Sequence, residues 1–332
     1  MPPVAAANLS IPVNPDNGTA LRPAVLGGPD RLSPEARLEI LALSGARPWR
    51  FLSELVFHWV VIAAAIGAGI HYSNIAVTVL CICLVGTRQM ALGLLLHDQV
   101  HRLGMRWKYG DWIVNIFAGY PLFATTVEDY AKVHLSHHKY FMTPKDPDFV
   151  RKSGEEWTFP ASWKMLLKIF ITDVTGLNTV KLIRGKTAPA NVMEFNRRRP
   201  SPKWLRLTFY AVLIVTLTLV HGWLAFLVYW VLPILTTFQL MIRWTAVVEH
   251  KYNVENASVF EVTPLVRLKL WQRILLPDLN FAMHAYHHMH PGVSFANLPK
   301  VHEIYKREGL VDESAIFNGQ GAYLWYLLRK GK

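Results

Sequence analysis

Two apolar stretches, each too long for a single membrane crossing, set the architecture. Phe51 to Leu96 runs for 46 residues and Leu205 to Val248 for 44. A helix rises 1.5 Å per residue, so the first stretch as one rod would reach about 69 Å, more than twice the hydrocarbon core of a bilayer. Each stretch must turn back on itself. Polar breaks mark the turning points: His71-Tyr72-Ser73-Asn74 in the first and His221-Gly222 in the second. The expected fold is all-α and integral to the membrane. It has four spans in two hairpins, at about 51–70, 75–96, 205–220 and 223–248, with residues 97–204 and 249–332 forming a helical cap.

Charge orients these hairpins. Of 35 Lys and Arg, 5 fall in residues 1–50, 17 in 97–204 and 10 in 249–332, and the two hairpin turns hold none. Under the positive-inside rule the N-terminal, middle and C-terminal segments share the cytoplasmic side of a multi-pass protein, in a bacterial inner membrane or an endoplasmic reticulum. The net charge of +12 then reflects basic loops lying against anionic headgroups. No basic and aromatic pattern of a nucleic-acid module is present, so no nucleic-acid partner is expected. Trp112 to Thr126 is apolar but only about 15 residues long, and Asn115, Gly119 and Pro121 interrupt it. It reads as an interfacial or re-entrant piece. Residues 1–48, rich in Pro, Gly and Asn, are expected to form a flexible tail ahead of the membrane domain at 49–332, with no cleavable signal peptide. Cys81 and Cys83 lie in an apolar run and supply neither a disulfide framework nor a zinc site.

Histidine usage points to the chemistry. Eight of the 14 histidines fall in three five-residue windows: HDQVH (His97, His101), HLSHH (His134, His137, His138) and HAYHH (His284, His287, His288). Residues at i, i+3 and i+4 share a helix face, so each window can aim two or three imidazoles at a common region. Neutral imidazole is a ligand for iron, copper, zinc and nickel. The first window closes the second span, and His250 stands at the matching depth at the end of the fourth. Nine nitrogens exceed what one tetrahedral ion takes and suit two metals with open positions. His58, His71, His221 and His302 fall outside the clusters and read as ordinary polar residues. His290-Pro291-Gly292 lacks the second Gly and the surroundings of a haem domain.

The pattern HxxxH, HxxHH and HxxHH on one side of two membrane hairpins resembles the membrane fatty acid desaturase and hydroxylase superfamily. HHKYFMTPKDPDF after the second window and HHMHPGVSFANLPKVH after the third are similar to family segments as well. The resemblance covers about residues 50–310. It implies that His97, His101, His134, His137, His138, His250, His284, His287 and His288 bind two non-haem irons, with O2 as cosubstrate. In desaturases of this type an Asn one turn before the span-4 histidine holds a metal-bound water, and here that position is Ala246.

Nine neutral ligands leave the charge of two cations uncompensated, so nearby acids are expected to accept hydrogen bonds from the far ring nitrogens. Asp98, Asp129, Asp146, Glu249 and Asp278 are the candidates, with Glu128 and Asp148 also close in sequence. Arg243, two turns before His250, is a candidate for a substrate carboxylate or a buried ion pair. Breaking an unactivated alkyl C–H bond needs metal chemistry rather than side-chain acids and bases. The expected function is O2-dependent desaturation of a fatty acyl chain. The alternatives are decarboxylation to a terminal alkene, hydroxylation or ketolation of a lipid or carotenoid, and, from another class, a non-catalytic metal transporter or sensor. No flavin, haem or iron–sulfur motif is present, so electrons must come from a separate ferredoxin, rubredoxin or cytochrome b5 type of carrier with its reductase.

Overall fold

The computed structural model describes residues 21–328 except 124, 153, 185–199 and 253. Among the described residues the chain is helical with no strand, its extended segments meeting only in three isolated bridges. In order, α1 spans Pro34–Leu43, α2 Pro48–Tyr72, α3 Ile75–Val100, α4 Gly110–Val114, α5 Val127–Tyr140, α6 Pro147–Arg151, α7 Trp163–Val174, α8 Leu177–Arg184 and α9 Lys203–Leu219. An interrupted helix α10 covers Trp223–Glu249. It is followed by α11 Val259–Val262, α12 Leu270–Leu275, α13 His284–Met289, α14 Leu298–Arg307 and α15 Gln320–Leu328.

Three of these helices, α2, α3 and α10, are long and apolar enough to cross a bilayer. The α2–α3 hairpin turns where the polar break stands. Ser73 takes a left-handed conformation at φ 47°, and the Asn74 side chain caps α3 by accepting from the Val77 N–H at 3.0 Å. α9 has 17 residues, about 25 Å at the helical rise, which is short of the roughly 30 Å hydrocarbon thickness. α10 is interrupted because Pro233 lacks an N–H and its ring clashes with the carbonyl four residues back. Leu227–Val231 widens to a π-helical turn in response. Gln239 Nε2 donates to the Ile234 carbonyl at 2.9 Å and Gln89 Nε2 to the Trp230 carbonyl at 3.0 Å, so carbonyls near the break keep partners away from water.

The apolar stretch 112–126 forms no helix long enough to cross a bilayer. It forms α4 and a π-helical turn at Asn115–Gly119, and the Phe123 N–H then turns back to the Tyr120 carbonyl at 3.2 Å. Two stacked tryptophans hold it, Trp59 and Trp230, with ring centroids 5.3 Å apart. Trp59 Nε1 donates to the Phe117 carbonyl at 2.9 Å and Trp230 Nε1 to the Pro121 carbonyl at 2.8 Å. The chain therefore leaves the end of α3 and returns as α5 on the same side, bringing the second histidine window back to the first.

Residues 21–48 depart from the expected flexible tail. Leu32, Ala36 and Ile40 are buried against Tyr286, Leu298, Val301 and Tyr305 of the C-terminal cap, and the Gly45 N–H donates to the Gly292 carbonyl at 2.8 Å. The Pro and Gly content misled, since those residues shape turns around α1: Ser33 caps it and Pro34 opens it. Residues 1–20 of the expected tail lie outside the described residues.

Candidate metal centre

All nine histidines meet. His97 and His101 close α3, His134, His137 and His138 lie on α5, His250 follows α10, and His284, His287 and His288 lie on α13. Their ligand atoms gather into two groups. In one, His97, His101, His134 and His287 each bring a nitrogen within 4.8 Å of the others, and in the second His137, His250 and His288 do the same. His138 Nε2 lies 2.9 Å from His134 Nε2 and 3.1 Å from His287 Nε2, beside the first group. His284 Nε2 lies 3.2 Å from His288 Nε2, beside the second.

Helix geometry explains the division. At 3.6 residues per turn, i and i+4 differ by about 40° and i+3 and i+4 by about 100°. In both HxxHH windows the i and i+4 rings stay together and the i+3 ring crosses over. His134 and His138 serve the first group while His137 serves the second; His284 and His288 serve the second while His287 serves the first. One short motif thus addresses two points in space.

The donor set fits a pair of cations. Ring nitrogens approach at 2.9 Å for His101 and His134 and at 3.0 Å for His250 and His288, as lone pairs sharing an ion do. Both ring nitrogens of His97 and Nδ1 of His284 are buried without a hydrogen-bond partner among the described residues, which is costly unless something fills the gap. Burial, then repulsion from neighbouring imidazoles, holds His134, His138, His250, His284, His287 and His288 well below the ordinary histidine value of 6.5. The rings are therefore neutral, the form that binds metal. Phe281, 4.6 Å from the His97 ring, and Phe141, 4.8 Å from that of His288, wall off water.

The acids separate into three kinds. Asp146, fully buried, accepts from His137 Nδ1 at 2.9 Å and from the Met142 and Asp148 N–H groups, which fixes the ring with Nε2 free. Glu249 Oε1 lies 3.9 Å from His284 Nδ1, within ion-pair range but beyond a hydrogen bond. The others hold elements in place. Asp98 accepts from Ser294 Oγ and the Phe295 N–H, since as the neighbour of His97 it points about 100° away from it. Asp278 accepts from the Ala282 N–H ahead of α13, and Asp129 pairs with Lys132 at the surface. Glu128 accepts from Asn115 and Ser201. Burial would raise Asp148, yet Lys152 at 3.2 Å and Arg151 at 2.7 Å prevail and hold its carboxyl well below the usual range.

Arg243 meets an aspartate that sequence order does not suggest. Its Nε and Nη2 pair with both carboxylate oxygens of Asp173 on α7, at 2.6 and 3.2 Å, and its guanidinium lies 4.5 Å from the Trp157 ring centre. Of the two roles anticipated for Arg243, the buried ion pair is the one formed. Arg88 likewise donates to the Ile274 and Leu275 carbonyls at the end of α12. Thr263, a neutral residue that carboxylate positions in the sequence do not reveal, places Oγ1 2.9 Å from His250 Nδ1. The available signal was Ser258-Val-Phe-Glu261 just upstream, a capping box that fixes a turn beside His250. His302 and His290 bond to the Tyr286 and Tyr305 hydroxyls, outside the cluster.

A cavity of about 950 Å³ lies away from the histidines. It runs between α2, the 112–123 segment and α9–α10, walled by residues such as Val56, Trp59, Ile116, Phe209 and Leu213. In comparisons with known proteins, the fatty acid desaturase family model matches residues 73–316. The chain is also similar to a dihydrorhizobitoxine desaturase from Bradyrhizobium elkanii, 24% identical over 242 residues that cover 68% of this chain and 66% of the relative. It thus spans slightly less than two thirds of that relative's length. The match embraces all three histidine windows and His250, and with it the chain belongs to the fatty acid desaturase family.

Proposed function

We propose that the protein is an O2-dependent oxidoreductase that introduces a double bond into the alkyl chain of a lipid, using two irons held by His97, His101, His134, His137, His138, His250, His284, His287 and His288. The observation that carries this reading is the gathering of nine imidazoles into two adjoining groups at one end of the long apolar helices. When bound, two irons supply the oxidising power that hydrogen removal from an unactivated methylene demands, with two electrons delivered by a separate carrier protein. The residues of the chain do the rest. Asp146 fixes His137, and the aromatic rings of Phe141 and Phe281 keep water out. An alkyl substrate is positioned by packing alone, so the walls of its channel decide which carbon reacts. The relative's name, a desaturase, supports double-bond formation over hydroxylation.

In this reading α9 crosses the bilayer as a fourth span, and the cap bearing the histidines faces the cytoplasm, where reductases and their ferredoxin, rubredoxin or cytochrome b5 carriers reside. The test is product analysis. Cells expressing the chain with an electron-transfer pair receive defined acyl substrates, and lipids are examined by mass spectrometry. Products two hydrogens lighter, dependent on O2 and lost in His137→Ala, are expected. Exclusively hydroxylated or chain-shortened products would replace desaturation by hydroxylation or decarboxylation. No O2 consumption by iron-loaded protein with any reductant would point to metal transport or sensing.

A further inference from the structure

His250 is held differently from the other histidines. It lies beyond the last turn of α10 in extended backbone, φ −148° and ψ 152°, so no helical turn of its own constrains the ring. The chain comes back to it through a short built element. Ser258 N–H and Oγ both donate to Glu261 Oε2, at 2.7 and 2.8 Å, closing the one-turn α11. The Thr263 N–H donates to the Val259 carbonyl at 3.1 Å, and the Lys251 N–H donates to the Val262 carbonyl at 2.8 Å. These bonds stitch 258–263 against the end of α10. Thr263, 3% exposed, is thereby delivered with Oγ1 2.9 Å from His250 Nδ1.

Resting on the two-iron reading above, we propose that Thr263 is a positioning residue for the metal bound by His137, His250 and His288. For His250 Nε2 to offer a lone pair, Nδ1 must carry the proton, and Thr263 Oγ1 is the acceptor that receives it. The two neighbouring ligands of that metal are consequently unequal. His137 donates to a carboxylate, which strengthens it as a ligand, whereas His250 donates to a neutral hydroxyl that fixes ring angle and tautomer without adding charge.

The experiment compares full-length wild type, Thr263→Val and Thr263→Ser, purified in detergent after iron-supplemented expression. Iron per chain and chelator competition give affinity, and Mössbauer spectra separate the two irons. The expected result is that T263V weakens one iron about 10- to 100-fold while the other stays bound, and that T263S retains both. Should T263V not fold, Thr263→Ala takes its place and is read against T263S in the same way. Wild type with two irons and a Val or Ala variant of equal affinity and spectra would overturn the proposal alone. Loss in T263S equal to that in T263V would overturn it too, since packing rather than the hydroxyl would be responsible. Wild type without iron would overturn the two-iron reading together with this one.

Discussion

Asp146 joins three donors at one buried carboxylate: the His137 ring and the N–H groups of Met142 and Asp148. Asp146→Ala should lower iron affinity about 10- to 100-fold, whereas His137→Ala should lose iron and abolish turnover; chelator titration and product yield check both. Ala246 shows the opposite situation, an apolar residue where the resemblance has Asn. It is buried among Met142, Tyr252 and Val262. Ala246→Asn brings an amide into that packing and should destabilise the protein by about 1–3 kcal/mol, measured by thermal unfolding. The pH response follows from six histidines kept neutral well below 6.5. Below that pH the unfolded chain takes up protons that the folded chain refuses, so stability falls as pH falls. The unfolding midpoint of iron-stripped protein should drop from pH 7 to pH 5; a flat profile would mean that the rings titrate freely.

At the level of elements, the hairpins and histidine helices were legible because their signals are local: run length, a polar break, i, i+3 and i+4 spacing. The pairing of Arg243 with Asp173, 70 residues apart, was not, because only tertiary packing selects one aspartate among many. The π-helical turns were also hidden, although Pro233 announced one of them. The indoles that hold the 112–123 segment lie 58 and 109 residues from the carbonyls they bind. Trp59→Phe should leave the Phe117 carbonyl unsatisfied in apolar surroundings and cost about 1–3 kcal/mol by thermal unfolding. Two cap helices also carry exposed apolar faces, Trp163, Leu167 and Phe170 on α7 and Leu270, Trp271 and Ile274 on α12. Such faces suit helices lying in the membrane interface. A nitroxide at Ile274 should therefore report lipid contact, and one at the exposed Lys306 of α14 should report water.

Taken whole, the molecule closes on itself through its N-terminal segment. Residues 21–47 run along α14 and the loop after α13: the Ser33 N–H donates to Glu308 at 3.0 Å, and Asn297 Nδ2 donates to the Leu43 carbonyl at 3.0 Å. This clasp is invisible in the sequence because its two bonds span 275 and 254 residues and the segment is too short to show periodicity. Leu32 and Ile40 alone are worth about 3–6 kcal/mol by burial. Removing residues 1–47 should accordingly lower thermal stability and iron retention together, while the α2–α3 hairpin still inserts. The adjacency of His137 with His138 and of His287 with His288 bears on all of this. Each couple sends neighbouring rings to opposite halves of the centre, so a small roll of α5 or α13 about its axis misaims both halves simultaneously. Helix phase, more than the chemistry of any one imidazole, is what the surrounding scaffold has to keep constant.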